Sequence, residues 1–324
     1  RELFQGGAED VVVVDGFYED PDAVRRLALE APYVVYGPGW RASALEVWDN
    51  PLKGRGVRHA GASVKARLAE ITRSTPEDAL DHQPCVDANS GWTLVFDGRI
   101  DNRNELASAL DIDSARLQDM ADAELVLHAW SRWERASLPR LLGDFAISAW
   151  HARSRRLMLS RDYLGTRPLF WYQGDGFHAF ASLPKALFAI PGVPRELSEE
   201  GLHDFLALVP MLDGKTLYRG IQRVMPGQCL IVEDGRTRSE TWYSFDTKRE
   251  LRLRRDDDYV EAFTERLEQA VARRLRAVGP IASELSSGFD SSTITAVAAA
   301  QLAGRGQSLL AYTSVPREGF ADRT

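Results

Sequence analysis

The residues best suited to chemistry stand in one run: Glu284-Leu285-Ser286-Ser287-Gly288-Phe289-Asp290-Ser291-Ser292. An apolar stretch, Ile281 to Leu285, precedes them, and a helix-prone stretch from about Ser291 to Leu302 follows. A loop in that setting aims backbone N–H groups and the positive end of a helix at one point, which favours an anion. Ser286, Ser291 and Ser292 add small hydroxyl donors, and Gly288 lets the backbone come close to a ligand. Asp290 is ill suited to touch a phosphate. It fits better as a brace for the loop or, through water, as a holder of Mg²⁺. The pattern Gly-x-x-x-x-Gly-Lys-Ser/Thr is absent, so this is no Walker loop. An ordinary serine-rich turn is the plain alternative, and the strand–loop–helix context weighs against it.

The rest of the composition narrows the field. Against 47 Asp and Glu stand 40 Lys and Arg, a net charge of −7 in 324 residues. A general nucleic-acid binder needs a basic face, so nucleic acid is not an expected partner. No apolar run approaches the ~20 residues of a membrane-crossing helix, and no secretory signal opens the sequence. A cytoplasmic protein is expected. The two cysteines, Cys85 and Cys229, form neither a disulfide framework nor a zinc pattern. The six histidines show no His-Glu-x-x-His spacing.

These residues need elements to carry them. Val11 to Val14 reads as a buried strand, and Asp20-Pro21 opens a helix. Val64 to Thr72 looks helical. Trp92 to Phe96 is a strand, with Asp97-Gly98 as a turn signal. Helices follow over Arg103–Leu110 and Asp122–Arg132, the second with Leu125, Val126 and Ala129 at core spacing. Phe145–Trp150 and Arg156–Ser160 are strands, and Phe170–Tyr172 and His178–Ala181 form a hairpin. Pro184–Phe188 is a helical turn and Glu199–Leu208 a helix. Gln228–Glu233 is a strand with Asp234-Gly235 at its turn, and Thr241–Tyr243 is an edge strand. A charge-dense linker spans 247–257. Beyond it, Asp258 to Val278 is an amphipathic helix with Phe263, Leu267, Val271 and Leu275 on one face, and Leu309–Val315 is a further strand. The expected domains are an extension of unknown role over 1–56, a first domain over 57–246 and a second over 258–324.

Ser286-Ser287-Gly288-Phe289-Asp290-Ser291-Ser292 resembles the PP-loop of ATP pyrophosphatases, Ser-Gly-Gly-x-Asp-Ser-Ser, with Ser287 where the first Gly is usual. Four upstream blocks narrow the resemblance. Trp92 to Asn102, Leu141 to Ala146, Arg161 to Phe170 and Phe180 to Leu187 are similar to blocks of the class B asparagine synthetases. The resemblance covers about Val86 to Thr324. It implies an α+β Ntn-type αββα sandwich, glutaminase-like, followed by an α/β PP-loop domain. It also implies ATP and Mg²⁺, with ATP held by Leu285, Ser286, Ser287, Gly288, Asp290, Ser291, Ser292 and Val315, and the metal by Asp290.

The sequence departs from that family in ways that matter. Ntn glutaminases use an N-terminal cysteine, whereas residue 1 is Arg and Cys85 is internal. Cys85 is expected to be a small, half-buried side chain. The family's glutamine-binding Asn-Gly-Glu falls on Asp97-Gly98-Arg99, so a carboxylate becomes a cation that repels the glutamine ammonium. The family's Asp survives as Asp122, where a helix cap is a sufficient role. These residues read as a degenerate glutamine site, and no glutaminase activity is expected. The amine must then come from the substrate, as in the β-lactam synthetases and lasso-peptide cyclases. Trp130-Ser131-Arg132-Trp133 and Ser314 to Phe320 resemble the latter. The expected partners are a precursor peptide and a leader peptidase or leader-binding protein; a homo-oligomer is compatible. The PP-loop domain reads as truncated, one strand past its loop, with the family's catalytic lysine beyond Thr324. Glutamine-dependent asparagine synthesis and a non-catalytic scaffold are the alternatives.

Overall fold

The computed structural model describes residues 10–13, 80–209, 213–277, 279–286 and 288–313. The expected helices at Asp20 and over Val64–Thr72 lie outside them, as do Ser287 and Val315. The elements run β1 (Asp10–Val13), β2 (Cys85–Asp87), β3 (Trp92–Ile100), α1 (Arg103–Ala109), α2 (Ser114–Gln118), α3 (Asp122–Trp133), β4 (Gly143–His151), β5 (Arg156–Arg161), β6 (Phe170–Gln173), β7 (Phe177–Ala181), α4 (Pro184–Leu187), α5 (Glu199–Leu206), β8 (Ile221–Arg223), β9 (Gln228–Glu233), β10 (Arg236–Thr241), α6 (Asp256–Arg274), β11 (Ile281–Glu284), α7 (Phe289–Ala303) and β12 (Leu309–Tyr312). The chain divides into two units between Phe245 and Asp246. No helix among the described residues is long and apolar enough to cross a membrane.

In the first unit, two sheets are stacked between helices. One has the order β10-β9-β5-β4-β3-β2, and the other β1-β7-β6-β8. Alternation along the strands builds both interfaces. On β4, Phe145, Ile147 and Ala149 face α1–α3, and Ala146 and Trp150 face the second sheet. On β9, Cys229 and Ile231 face the helices, and Leu230 and Val232 face the sheet. The second sheet turns Ala179, Ala181 and Ile221 toward α4 and Val193. The layers are therefore α-β-β-α, the sandwich that the resemblance implies. Leu125, Val126 and Ala129 of α3 are fully buried with Trp130, and large apolar side chains each contribute about 1.5–3 kcal/mol on burial.

Two local expectations are corrected. Asp97-Gly98 is not a turn, because β3 runs through it to Ile100, with Gly98 opposite Phe145. A Cβ at Gly98 would lie 2.1 Å from the Asp144 carbonyl oxygen. The glycine serves the close approach of β4 rather than a reversal of the chain. The edge strand is Arg236–Thr241, not Thr241–Tyr243. Asp234 and Gly235, both at positive φ, close a two-residue hairpin that pairs Glu233 with Arg236. Trp242 then leaves the ladder: its N–H donates to the Gly227 carbonyl, its indole N–H to Ser160 Oγ, and its ring stacks with Phe145.

The second unit is a β-α-β arrangement with α6 packed on α7. β11 and β12 are parallel neighbours. Val271, Leu275, Ala298 and Leu302 are its buried core, with Leu267, Ile281, Val297 and Leu309 against them. Phe263, expected on the same face of α6, is 66% exposed, so the core begins one turn later, at Leu267.

Candidate functional site

The loop at Ser286 leaves the carboxyl end of the parallel pair. Leu285 N donates to Tyr312 O at 2.7 Å and Thr313 Oγ1 to Leu285 O at 2.8 Å, fixing the loop's start on the neighbouring strand. The hydroxyls then knit the turn. Ser291 Oγ lies 2.8 Å from Ser286 Oγ and accepts from Ser286 N at 3.1 Å; Gly288 N donates to Ser286 Oγ at 3.1 Å. Ser292 Oγ donates to Gly288 O at 2.9 Å. Gly288 caps α7 with no side chain to offer, so the helix's first N–H groups have no side-chain acceptor at the cap. Asp290 sits exposed on the first turn. Leu285, Ser286, Gly288, Asp290, Ser291 and Ser292 thus converge on one helix start, and Ser287 and Val315 are outside the described residues. Chemically the arrangement is an anion cradle built on the N–H groups at the start of α7, with the Ser291 and Ser292 hydroxyls donating to loop carbonyls and so bracing the turn. It fits a nucleotide's phosphates through the helix start that Ser286, Ser291 and Ser292 shape, and a Mg²⁺ through the solvent-facing Asp290. Among the described residues no group of three or more His, Cys, Asp and Glu stands ready to hold a metal by itself.

The residues read as a degenerate glutamine site lie at the far end of β3. Register places Asp97 opposite Ala146, so Asp97 and Arg99 share the face turned toward the second sheet. Arg99 Nε bonds Asp101 Oδ1 at 2.8 Å, with both side chains largely buried. Asp97 lies 3.6 Å from Arg167. The cation of Arg99 is therefore a fixture of the fold, held by a carboxylate two residues on. Sequence reasoning passed over Asp101, although the strand's period of two gave the signal. No sequence signal brings Arg167 to Asp97.

Asp122 is not a helix cap, because Ala121 holds that position and Asp122 is the first residue of α3. Its carboxylate accepts the Ile100 N–H at 2.7 Å and pairs with buried Arg103. Arg103 in turn donates to Leu117 O and Met120 O at 2.8 and 2.7 Å. Asp122 thereby joins β3 to all three helices.

The block from Arg161 to Phe170 is likewise structural. Asp162, 1% exposed, accepts from the amides of Phe145, Leu164, Thr166 and Arg167, and Arg161 donates to the carbonyls of Gly165, Arg167 and Val224.

Cys85 is half-buried, as expected, and donates to His82 O at 3.4 Å. Burial, with the nearby charges of Asp81 and Glu124, pushes its thiol up to about 11. Burial pushes Cys229 up to about 12. Both thiols are protonated at neutral pH, the opposite of what a nucleophile needs.

Known proteins divide along the same lines. The family model described as a glutamine amidotransferase domain matches residues 41–243, and the one described as asparagine synthase matches residues 262–323. Asparagine synthetase [glutamine-hydrolyzing] 3 of Bacillus subtilis is 28% identical over 72% of this chain and 38% of its own length. A Mycobacterium bovis protein provisionally named asparagine synthetase [glutamine-hydrolyzing] is 31% identical over 75% of this chain and 39% of its own. Amidase chry2 of Gibberella zeae is 27% identical over 66% of this chain and 31% of its own. The chain spans about two fifths of the length of the first two relatives.

Proposed function

The chain belongs to the asparagine synthetase superfamily, and from that premise we propose that it serves an ATP-dependent, amide-forming ligase whose amine comes from the substrate rather than from glutamine. A substrate carboxylate oxygen attacks the α-phosphorus of ATP, and pyrophosphate leaves. The amine nitrogen then attacks the activated carbonyl, AMP leaves, and the nitrogen gives up a proton. The observation that carries this reading is the start of α7 at Gly288, whose first N–H groups meet no side-chain cap and suit the departing pyrophosphate, with Ser286, Ser291 and Ser292 shaping the loop. Mg²⁺ held near Asp290 would neutralise further charge there. When acid and amine belong to one substrate, holding its two ends together supplies much of the rate.

Two observations support the absence of glutamine hydrolysis in this chain. Arg99 stands where the family offers a carboxylate, and its partner Asp101 holds it there. The described thiols, Cys85 and Cys229, are held protonated. We extend the reading to an isopeptide-forming cyclase of the lasso-peptide kind. Its substrate is a precursor peptide with a free N-terminal amine and an Asp or Glu side chain. A leader peptidase or leader-binding protein would deliver it. The names of the Bacillus subtilis and Mycobacterium bovis relatives favour a second reading, glutamine-hydrolysing asparagine synthesis.

The deciding experiment measures ATP–Mg²⁺ binding by calorimetry, then ATP–pyrophosphate exchange with either such a peptide or aspartate, and glutamate release from glutamine. Exchange with the peptide and no glutamate release is the expected result. Exchange with aspartate together with glutamate release would establish the second reading. Failure of ATP to bind the 324-residue chain would remove the support of the loop and favour a scaffold.

A further inference from the structure

A cavity of about 350 Å³ opens in the first unit where the β2–β3 turn, the corner between α1 and α2, and the last turns of α3 meet. It adjoins the Trp92 end of β3, whereas Arg99 lies seven residues along the strand, about 23 Å away at ~3.3 Å per residue. It is therefore separate from the Asp97–Arg99 region. Its size falls within the range of small-molecule sites, ~300–1,000 Å³. Leu110 and Ile112, which pack on the main core, give it an apolar floor.

The walls carry charge of both signs. Arg116 Nη2 of α2 lies 3.3 Å from His128 Nε2 of α3, a hydrogen bond between the two side chains, and Glu124 Oε1 lies 3.8 Å from the same nitrogen. Arg132 lies one turn beyond His128 on the same face and donates to Asp111 Oδ2 at 2.9 Å. A guanidinium has five N–H donors, and the one that each arginine uses in these contacts leaves others for an incoming oxygen. Asp87 lines the same cavity, and its Oδ1 accepts from Asn89 N at 3.0 Å. The hydroxyls of Ser131 and Ser90, with the turn amides, hold its carboxyl at about 2, so it carries full negative charge at neutral pH. Asp111 adds a second carboxylate at positive φ, 61°. The spare guanidinium donors of Arg116 and Arg132 suit an anionic group. The carboxylates of Asp87 and Asp111, the second of them 2.9 Å from Arg132, suit a cationic group.

We propose that this cavity binds a small zwitterion with a free carboxylate and a free ammonium, an amino acid or dipeptide. The carboxylate lies against Arg116, His128 and Arg132, and the ammonium against Asp87 and Asp111. The proposal does not depend on the ligase reading, since none of these residues belongs to the loop or to the glutamine site.

The test is NMR and calorimetric titration of the 324-residue chain with glycylglycine. N-acetylglycine, glycinamide and inorganic phosphate serve as single-charge probes. Saturable glycylglycine binding that shifts the His128 and Ser131 amides is expected, with the single-charge probes at least tenfold weaker. Arg116→Gln and Arg132→Gln should each weaken binding at least tenfold while leaving the circular dichroism unchanged. Either variant suffices if the other misfolds. The inference is overturned if glycylglycine does not saturate the protein, if phosphate alone binds, or if binding survives in folded variants.

Discussion

Replacing Asp122 by alanine would remove the carboxylate on which the helical layer of the first unit converges. Asp122 is 7% exposed, and so is its partner Arg103. Taking one partner from a buried ion pair costs about 3–5 kcal/mol, because the other charge stays in low dielectric. Here the lower end applies, since Arg103 keeps the Leu117 and Met120 carbonyls. The Ile100 N–H also loses its acceptor, at a cost of about 1–3 kcal/mol, reduced if water enters the space left by the side chain. A total near about 4 kcal/mol follows. For a unit of this size, each kcal/mol lowers Tm by ~2–4 °C, so a drop of ~8–16 °C is expected. Asp122→Asn keeps an acceptor for Ile100 and should recover roughly half of the loss. Urea titration followed by tryptophan fluorescence is the assay, since Trp130 is buried in the layer that Asp122 ties down. A loss under about 1 kcal/mol for alanine, or equal losses for alanine and asparagine, would refute the reasoning.

Further outcomes follow from the same geometry. Gly98→Ala sets a Cβ 2.1 Å from the Asp144 carbonyl oxygen and should cost about 3 kcal/mol or more in a thermal melt. Gly288→Ala meets only the Ser286 hydroxyl, at 3.3 Å, and should stay within about 1 kcal/mol of wild type; comparable losses would refute the contrast. Asp290→Ala, at an exposed position, should abolish ATP–Mg²⁺ binding by calorimetry with Tm unchanged, and unchanged nucleotide affinity would sink the loop assignment. Cys85 should react slowly with iodoacetamide near neutrality and speed up toward pH 11. Because its folded pKa is raised above the ordinary value near 9, its contribution to stability is present below pH 9. That contribution is lost as pH rises from about 9 to about 11. Rapid labelling at pH 7 would contradict the burial argument.

The strands and helices of the first unit were legible because two rules suffice to find them. Alternation marks β4 and β9, and the 3.6-residue period marks α3. The misreading at Asp97-Gly98 has a local cause. Glycine signals both a turn and a close contact, and local sequence does not separate them. At Asp234-Gly235 it is a turn with positive φ, whereas at Asp97-Gly98 it makes room for the Asp144 backbone. Only the pairing of Gly98 on β3 with Phe145 on β4, 47 residues on, decides.

The candidate sites divide in the same way. The Ser286–Ser292 cradle is local: each donor lies within a few residues of the next, so order and spacing display it. Arg99 is legible as a departure from the family, yet its effect depends on what holds it. A mobile arginine would leave room for glutamine by swinging away. One bonded to Asp101 and 14% exposed keeps its charge on the inter-sheet face. That distinction sharpens the argument against glutamine hydrolysis from a residue's identity to its position. A direct check follows: Asp101→Ala should remove the acceptor of Arg99 Nε without supplying a carboxylate for glutamine, and therefore should not restore glutamine binding measured by calorimetry. Arg99→Glu is the substitution that could. If Asp101→Ala alone admitted glutamine, placement of the cation rather than loss of the family's carboxylate would be what closes the site.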